Sequence, residues 1–214
     1  MDFDLATVDA LLTTTRAVRK RLDLERPVPR DVLLECLRLA LQAPTGGNTQ
    51  RWRWLIVDDP EVRAGLAELY RRAADPYLGA QKAAIDEAGR GGMDSILGSA
   101  LYLSEHLHEV PVHVIPIALD RPPTEPGLAA GWFGSIIPAA WSFQLALRSR
   151  GLGSAWTTLH LEHEQEAAEL LGLPDTVTQI ALLPVAYTKG TDFKPGTRRP
   201  VEEVTYFNGW KRPA

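Results

Sequence analysis

Several features that mark particular protein classes are scarce or missing in this chain of 214 residues. The sequence has one cysteine, Cys36, so no internal disulfide can form, and this indicates a reducing compartment. No basic and apolar leader follows Met1, and no apolar run reaches the roughly 18 residues that cross a bilayer. The formal net charge of −4 gives no reason to expect nucleic-acid binding, which needs a basic surface. We therefore expect a cytoplasmic protein with neither a nucleic acid nor a membrane as its partner.

The motifs of several catalytic mechanisms are also missing. There is no GxSxG or P-loop pattern, and Cys36 lies among leucines, so nucleophilic catalysis has no support. Gly151-Leu152-Gly153 precedes a β-prone segment and not a helix, which argues against a Rossmann site, so any NAD(P)H would bind transiently. The histidines and glutamates of residues 160–164 miss the HExxH and HxxEH spacings, and we expect no metal.

What the chain does contain is an ordinary globular composition, with 45% hydrophobic and 23% charged residues. Its length suits one domain over residues 1–214. Helical spacing of apolar residues predicts helices over residues 6–20, between Pro29 and Pro44, after Pro60, and over 135–150 and 162–171. β-Prone segments predict strands over residues 52–57, 112–119, 154–159 and 178–187. We therefore predict a mixed α+β fold.

Particular residues add detail to these elements. Arg16 and Arg19 are three apart, so in a helix they project from one face. Pro116 inside the second strand indicates an edge strand or a bulge, because proline cannot donate to a sheet. Ser135 suits the cap of a central helix that is apolar nearly all round. Residues 75–98 have weak periodicity, which is consistent with mobile helices over a site.

The tail after Thr188 is polar and then aromatic. Six cations lie between Lys189 and Arg212, which suggests an anion site, although a solvated tail would carry the same charges. The apolar residues come late, at Val201, Val204, Tyr206, Phe207 and Trp210. An exposed apolar cluster needs a surface to cover it, so we expect the tail from about residue 189 to lie as an arm on a partner subunit.

Two polar groupings are candidates for a cofactor site. Thr45-Gly46-Gly47-Asn48-Thr49-Gln50 is typical of a surface turn. Its glycines also permit close approach of a ligand, and Asn48 and Gln50 each carry a donor and an acceptor, as a ribityl chain and a pyrimidine-like ring edge require. Arg16 and Arg19 read most simply as an exposed cationic helix end. Guanidinium groups, however, also hold phosphate in a bidentate way.

Taken together, four segments in this order resemble the nitroreductase family over about the whole chain. They are Arg-x-x-Arg at 16–19, Ala-Pro-x-x-Gly-Asn-x-Gln-x-Trp at 43–52, Gly-Leu-Gly-x-x-Trp at 151–156 and Arg-Arg-Pro-x-Glu-Glu-Val at 198–204. The resemblance implies an α+β fold with a mixed sheet flanked by helices. It also implies a homodimer with FMN at the interface, exchanged C-terminal arms, and reduction of nitro groups, quinones or similar acceptors by NAD(P)H.

The same resemblance implies roles for individual residues. Arg16, Ala17 and Arg19 would meet the FMN phosphate and the ribityl or ring oxygens, although Ala17 stands where the family commonly has serine. Arg198, with or without Arg199, would join at the phosphate. The remaining contacts would come from the loop residues Thr45, Gly46, Asn48 and Gln50, some of them across the dimer, and from the backbone of Thr157, Thr158 and Leu159 beside the reactive N5 edge.

No side chain need act as acid or base in such chemistry, because the flavin carries it. Trp132, Phe133 and the region from Tyr70 to Met93 would shape the pocket of a small-molecule acceptor. Leu22 replaces a common aromatic, and Ser135 stands where many members carry aspartate, so the subfamily stays open. The alternatives are a protein that stores or sequesters FMN, or a related flavin enzyme such as a dehalogenase, an ene-reductase or a flavin-fragmenting enzyme.

Overall fold

A computed structural model describes residues 2–87 and 94–211 of the chain. It divides into two compact units. The terminal unit comprises Met1–Thr15 and Asp192–Ala214, and the central unit comprises Arg16–Thr191. The predicted single domain over residues 1–214 and the crossing of the tail to a partner stay predictions.

The structure mixes helices with one antiparallel sheet, which confirms the predicted α+β class. The helices are α1 Leu5–Thr14, α2 Arg30–Ala40, α3 Pro60–Glu87, α4 Asp94–His106, α5 Pro126–Gly134, α6 Ile137–Ser149, α7 Glu164–Leu171 and α8 Val201–Val204. The strands are β1 Trp52–Val57, β2 Val112–Ala118, β3 Leu152–Ser154, β4 Thr178–Gln179 and β5 Leu183–Tyr187. No helix in the described ranges has the length and apolarity that crossing a bilayer requires.

The sheet follows the order β1-β2-β5-β3, and β4 pairs with β2 beside β5. The strand predicted over residues 52–57 is confirmed at both ends. The one predicted over 178–187 is interrupted between β4 and β5. In the predicted 154–159 segment the regular strand ends at Ser154, and only the bridge between Thr157 and Leu182 continues it.

Of the two alternatives predicted from Pro116, an edge strand or a bulge, the edge strand is wrong, because β2 lies inside the sheet. On one side β2 pairs with β1, and Trp54 stands opposite Pro116. On the other side β5 pairs with residues 112–114 and β4 pairs with 117–118. Pro116 therefore falls at the interruption between β4 and β5, where its carbonyl accepts from Ile180 N–H at 3.0 Å. A proline is tolerated here because the neighbouring strand makes no regular ladder at that point.

The main core lies where α2 and α6 pack against the sheet. The helix predicted between Pro29 and Pro44 is confirmed as α2, and its residues Leu33, Leu37 and Ala40 are buried, whereas Leu41, just after it, is exposed. Cys36 is fully buried, and burial raises the pKa of its thiol to about 11. The thiol is therefore protonated at neutral pH, which suits a core residue and not a nucleophile.

The helix predicted over residues 135–150 begins later and is less enclosed than expected. Ser135 ends α5, a helix that the sequence pattern did not indicate, and Ile136 caps α6 instead. Ile137 and Trp141 of α6 are 41% and 42% exposed, so one face of this helix reaches the surface. The predicted helices of residues 75–98 correspond to the end of α3 and the start of α4, and residues 88–93 lie outside the described ranges.

Candidate cofactor site

The first group of predicted cofactor residues, Arg16, Ala17 and Arg19, lies in a segment outside the regular helices and strands. The prediction that a helix runs to residue 20 is wrong, because α1 ends at Thr14. Val18 is buried and its N–H donates to Ser154 O at 2.9 Å, so bonding to the sheet replaces the helical bond. Arg16 and Ala17 are exposed and Arg19 is half-buried.

A close approach of two backbones positions this segment. A Cβ on Gly153 would lie 2.9 Å from Val18 Cβ and 2.7 Å from Thr188 Cγ2. Leu22 bridges to Thr188 and is almost fully buried. Only glycine at residue 153 therefore lets the arginine segment lie this close to β3 and β5.

Tyr70 of α3 lies near Arg19 and Thr157. Its side chain is buried, and its hydroxyl is hydrogen-bonded to the Thr157 side chain. Burial raises the pKa of Tyr70, while that bond and the nearby Arg19 charge oppose the rise only in part. Arg19 Nη1 also donates to Ser99 Oγ of α4 at 3.3 Å. The sequence placed Tyr70 only within a broad acceptor region, because a tyrosine at helical spacing looks like any core aromatic.

The three residues of the Thr157–Leu159 segment differ in how accessible they are to a ligand. Thr157 is buried, its N–H donates to Leu182 O at 3.2 Å, and its carbonyl accepts from Leu182 N–H at 2.8 Å. Both of its backbone groups are therefore committed to the sheet. Thr158 is exposed and Leu159 is half-buried. Of the three, Thr158 is the residue with a side chain open to a ligand.

A buried histidine pair lies behind this segment. His160 directly follows Leu159, and both His160 and His113 are fully buried. Burial lowers the pKa of each histidine to about 4. His160 is also close enough to His113 to lower the pKa of His113 further. Both rings are therefore neutral at physiological pH. Within the described ranges, no cluster of three or more histidine, cysteine, aspartate or glutamate residues could hold a metal.

The second group of predicted residues forms an exposed loop before β1, from Thr45 to Gln50. Gly46–Asn48 makes a 3-10 turn, and Gly47, Asn48 and Gln50 have left-handed φ values of 57°, 52° and 47°. This conformation is uncommon for residues other than glycine and clusters at ligand sites. Gln50 Nε2 donates to Asn48 Oδ1 at 2.9 Å, so the two predicted FMN contacts support each other.

Ser135 joins this loop to α5. Its Oγ accepts from Gly46 N–H at 2.9 Å and donates to Gly131 O at 2.8 Å. Between the loop and α5 lies a cavity of about 330 Å³, within the lower range of small-molecule sites. Its lining includes Gly46, Thr49, Trp52, Leu128, Trp132 and Ile136. Trp132 and Phe133 are the adjacent residues predicted to shape an acceptor pocket. Of the two, Trp132 lines this cavity beside the loop.

A charged pair stands at the same cavity. Arg51 forms an ion pair with Asp120, and Trp132 Nε1 donates to the other oxygen of Asp120 at 2.9 Å. Burial alone would raise the pKa of Asp120, but the bonds from Trp132 and Arg51 outweigh it and lower this pKa below its usual value. Asp120 therefore stays ionised and fixes the indole of Trp132. Sequence reasoning missed this pair, since its members are distant along the chain.

The two groups lie on opposite edges of the sheet. The loop Thr45–Gln50 precedes β1, whereas Arg16–Arg19 and Thr157–Leu159 lie beside β3. Three strand spacings, or roughly 14 Å, separate the edges across the sheet. Arg198 and Arg199 belong to the terminal unit and are exposed, and their role at a phosphate stays a prediction.

The chain is similar to proteins of known name along most of its length. Residues 12–187 match the model of the nitroreductase family. An NADH dehydrogenase of Thermus thermophilus is 29% identical over 93% of this chain and 97% of that protein. An iodotyrosine deiodinase of Thermotoga neapolitana is 26% identical over 82% of this chain and 86% of that protein.

A solved structure has the same fold. The crystal structure of an oxidized iodotyrosine deiodinase bound to FMN and 3-iodo-L-tyrosine superposes with a TM-score of 0.69 at 24% identity. The superposition covers 95% of this chain and all of that chain. Because the family model spans well over half of the sequence and the fold agrees, the chain belongs to the nitroreductase family.

Proposed function

We propose that this chain is an FMN-dependent oxidoreductase that passes hydride from NAD(P)H through FMN to nitroaromatic, quinone or similar electron-poor acceptors, by a ping-pong mechanism. Membership of the nitroreductase family supports this function. A relative named NADH dehydrogenase and a structural neighbour crystallised with FMN agree with it. We place the enzyme in the cytoplasm as a homodimer.

The observation that carries the proposal is the left-handed loop Thr45–Gln50 beside its cavity. Its exposed glycines leave room for a ring, and Asn48 and Gln50 supply amide donors and acceptors for polar ring edges. The exposed Arg16 and the half-buried Arg19 supply guanidinium groups suited to a phosphate. The donor set of the chain therefore fits FMN.

Bound FMN would supply the redox chemistry, accepting a hydride and passing electrons to the acceptor. The chain's own residues bind and orient. Thr158, an exposed residue, would face the reactive ring edge, since both backbone groups of Thr157 are hydrogen-bonded within the sheet. Tyr70 holds the Thr157 side chain in place as a neutral phenol, because burial raises its pKa. No side chain is assigned as an acid or base.

The acceptor would enter beside α5. Trp132 lines the cavity there, and Phe133 is exposed on the same helix. Together with the region from Tyr70 to Met93, of which residues 88–93 lie outside the described ranges, these residues would shape the pocket. NAD(P)H would use the same space in turn and leave before the acceptor binds.

A homodimer would complete the site. The predicted contacts lie on opposite edges of one sheet, which suits a cofactor shared between two copies. The terminal unit also exposes the late apolar cluster: Trp210 is 77% exposed, and Val201, Val204, Tyr206 and Phe207 are exposed as well. A second chain would cover this surface. We propose that the tail from about residue 201 crosses to the partner.

The proposal is tested with the purified chain. It should be yellow, release FMN and not FAD on denaturation, and scatter light as a species of twice 23.6 kDa. Anaerobic mixing with NADH or NADPH should bleach the flavin absorbance, and a quinone or nitroaromatic acceptor should restore it. Bound FMN that no pyridine nucleotide reduces would favour an FMN-storing protein. A different flavin, or none, would overturn the proposal.

Reductive dehalogenation is the second candidate. A relative at 26% identity and a structural neighbour are both named iodotyrosine deiodinase. An acceptor panel that includes 3-iodotyrosine decides between the two functions. Iodide release that outpaces quinone and nitroaromatic reduction would favour dehalogenation.

A further inference from the structure

Ser135 forms a hydrogen-bonded bridge between two distant parts of the central unit. It lies at the end of α5, 89 residues after Gly46. Its Oγ accepts from Gly46 N–H at 2.9 Å and donates to Gly131 O at 2.8 Å. One hydroxyl therefore uses both of its capacities to join the loop before β1 to the backbone of a helix.

The loop that Ser135 holds adopts a disfavoured conformation. Asn48 and Gln50 are left-handed without being glycines, so the surrounding contacts must maintain them. The other hydrogen bonds described for the loop are local. They are Asn48 N–H to Thr45 O, Thr49 N–H and Oγ1 to Gly46 O, Gln50 N–H to Thr45 Oγ1, Gln50 Nε2 to Asn48 Oδ1, and Arg53 Nη1 to Gln50 O. The Ser135 bond is the one among them that reaches a distant element.

The approach of the two residues is also close. A Cβ built on Gly46 would lie 3.3 Å from Ser135 Oγ, tighter than ordinary van der Waals contact. Ser135 is half-buried, whereas Gly46 and Gly131 are exposed. The Gly46 N–H, at the start of the 3-10 turn that carries Asn48, is thus bonded to the Ser135 hydroxyl.

We propose that Ser135 is a positioning residue that pre-forms the loop bearing Asn48 and Gln50, and so sets the affinity for the flavin. This inference rests on the proposed function, because it takes these two amides as FMN contacts. Ser135 need not touch the cofactor itself. It acts through Gly46.

The chemistry of the bridge defines a graded set of variants. Ser135→Ala removes the acceptor for Gly46 and the donor to Gly131. Ser135→Thr keeps both. Ser135→Asp keeps an acceptor for Gly46 N–H, but an ionised carboxylate cannot donate to the Gly131 carbonyl and repels it. The matched control is Ser149→Ala, since Ser149 Oγ donates to Ala146 O of α6 at 2.8 Å and makes no described contact with the loop.

The first readout is amide hydrogen exchange of the apo-protein, which needs no cofactor. We expect a peptide that covers residues 44–52 to exchange about 2- to 12-fold faster in Ser135→Ala, because a lost hydrogen bond of this class shifts local opening by about that factor. Ser135→Thr should exchange like the parent, Ser135→Asp should lie between them, and Ser149→Ala should leave this peptide unchanged. Unchanged exchange in Ser135→Ala would overturn the anchoring role.

The second readout is the FMN dissociation constant, with visible circular dichroism of the bound flavin. Ser135→Ala should raise the constant by about 2- to 12-fold, the equivalent of one net hydrogen bond. Its flavin dichroism should change, and Ser135→Thr should restore both. Equal FMN affinity in parent and Ser135→Ala, with faster loop exchange, would overturn the inference while leaving the proposed function intact. A parent that binds no FMN would overturn the proposed function, with the exchange data still reporting the anchor.

Discussion

The two halves of the candidate site are held in different ways. The Arg16–Arg19 segment is fixed by packing, since Val18 is buried against Gly153, and Tyr70 bonds the Thr157 side chain behind it. The loop Thr45–Gln50 is exposed and left-handed at several residues, and hydrogen bonds hold it. Packing tolerates little added volume, whereas a bonded loop depends on single polar groups. The two halves should therefore fail under different substitutions.

We expect the largest effect from Arg198 in the terminal unit. Its substitution tests whether this arginine binds FMN together with the Arg16–Arg19 segment and the loop. Arg198→Ala should weaken FMN binding by roughly 10- to 150-fold, because a charge-assisted bond to phosphate contributes about 1.5–3 kcal/mol. Arg198→Lys should recover part of this loss, since a point charge cannot reproduce the bidentate fork. Titration of apo-protein with FMN, followed by flavin fluorescence quenching, measures it.

Arg199→Ala is the matched control for that substitution. A loss confined to Arg199→Ala would move the phosphate role by one residue. Parent-like affinity in both variants would leave the arm without a part in phosphate binding.

Gly153→Ala should break the packed half. The new Cβ would lie under 3.0 Å from Val18 and Thr188, so their backbones must separate. We expect a loss of about 1–3 kcal/mol in the free energy of unfolding, measured by urea denaturation, together with weaker FMN binding. Gly134→Ala in α5, where a Cβ meets nothing within 4 Å, is the control and should stay near the parent. Parent-like stability of Gly153→Ala would contradict the packing account.

Acid should also weaken the packed half before the loop. Burial lowers the pKa of His113 and His160 to about 4, below their ordinary value of 6.5. Between about pH 4 and pH 6.5, these histidines are therefore protonated in the unfolded chain but not in the folded chain. The contribution of these neutral histidines to the free energy of unfolding is therefore complete above about pH 6.5 and is lost as the pH falls towards 4. The loss reaches about 2 kcal/mol per histidine at about pH 5.

Urea denaturation at about pH 7.5 and about pH 5 measures this slope. His160→Gln should reduce the difference between the two pH values, and His108→Gln, at an exposed histidine, should leave it as in the parent. At about pH 5 the protection against hydrogen exchange, corrected for the slower intrinsic exchange at this pH, should fall in peptides covering residues 157–160 before it falls in the loop. An identical pH dependence in His160→Gln and the parent would contradict this assignment.

The smallest effect concerns Tyr70. Tyr70→Phe keeps the buried ring but removes the bond to Thr157, which should cost about 0.5–1.5 kcal/mol. FMN affinity should fall by no more than about tenfold. Tyr77→Phe, at an exposed tyrosine of the same helix, is the control. A larger loss in Tyr77→Phe than in Tyr70→Phe would show that the Tyr70 hydroxyl has no special part.

Local patterns predicted the elements that depend on local signals. Trp52–Val57 alternates as a strand and is one, and α7 ends at Gly172, which adopts the left-handed φ of 66° expected of a helix stop. The helical spacing of the apolar residues in α2 likewise predicted this helix from the sequence. These features need only neighbours a few residues away.

Contacts between distant residues explain what the patterns missed. Helical spacing continued to residue 20, but the Val18 N–H donates to the carbonyl of Ser154, far along the chain. Pro116 suggested an edge, yet it lies at the interruption between two partner strands. The motif order pointed to the candidate cofactor residues, whereas their supports, Tyr70 and Ser135, carry no periodic signal because their partners are distant in sequence.

A mixed dimer tests the central claim, that one FMN site combines the two edge groups from different subunits. Arg16→Ala and Asn48→Ala chains, differently tagged, are co-expressed and the heterodimer is purified. If the groups of one site come from different subunits, one site carries both defects and the other carries none. We predict one FMN per heterodimer bound with parent affinity, while neither variant homodimer binds FMN that tightly. A heterodimer without any parent-like site would contradict the account, because it would mean that each chain builds its site alone.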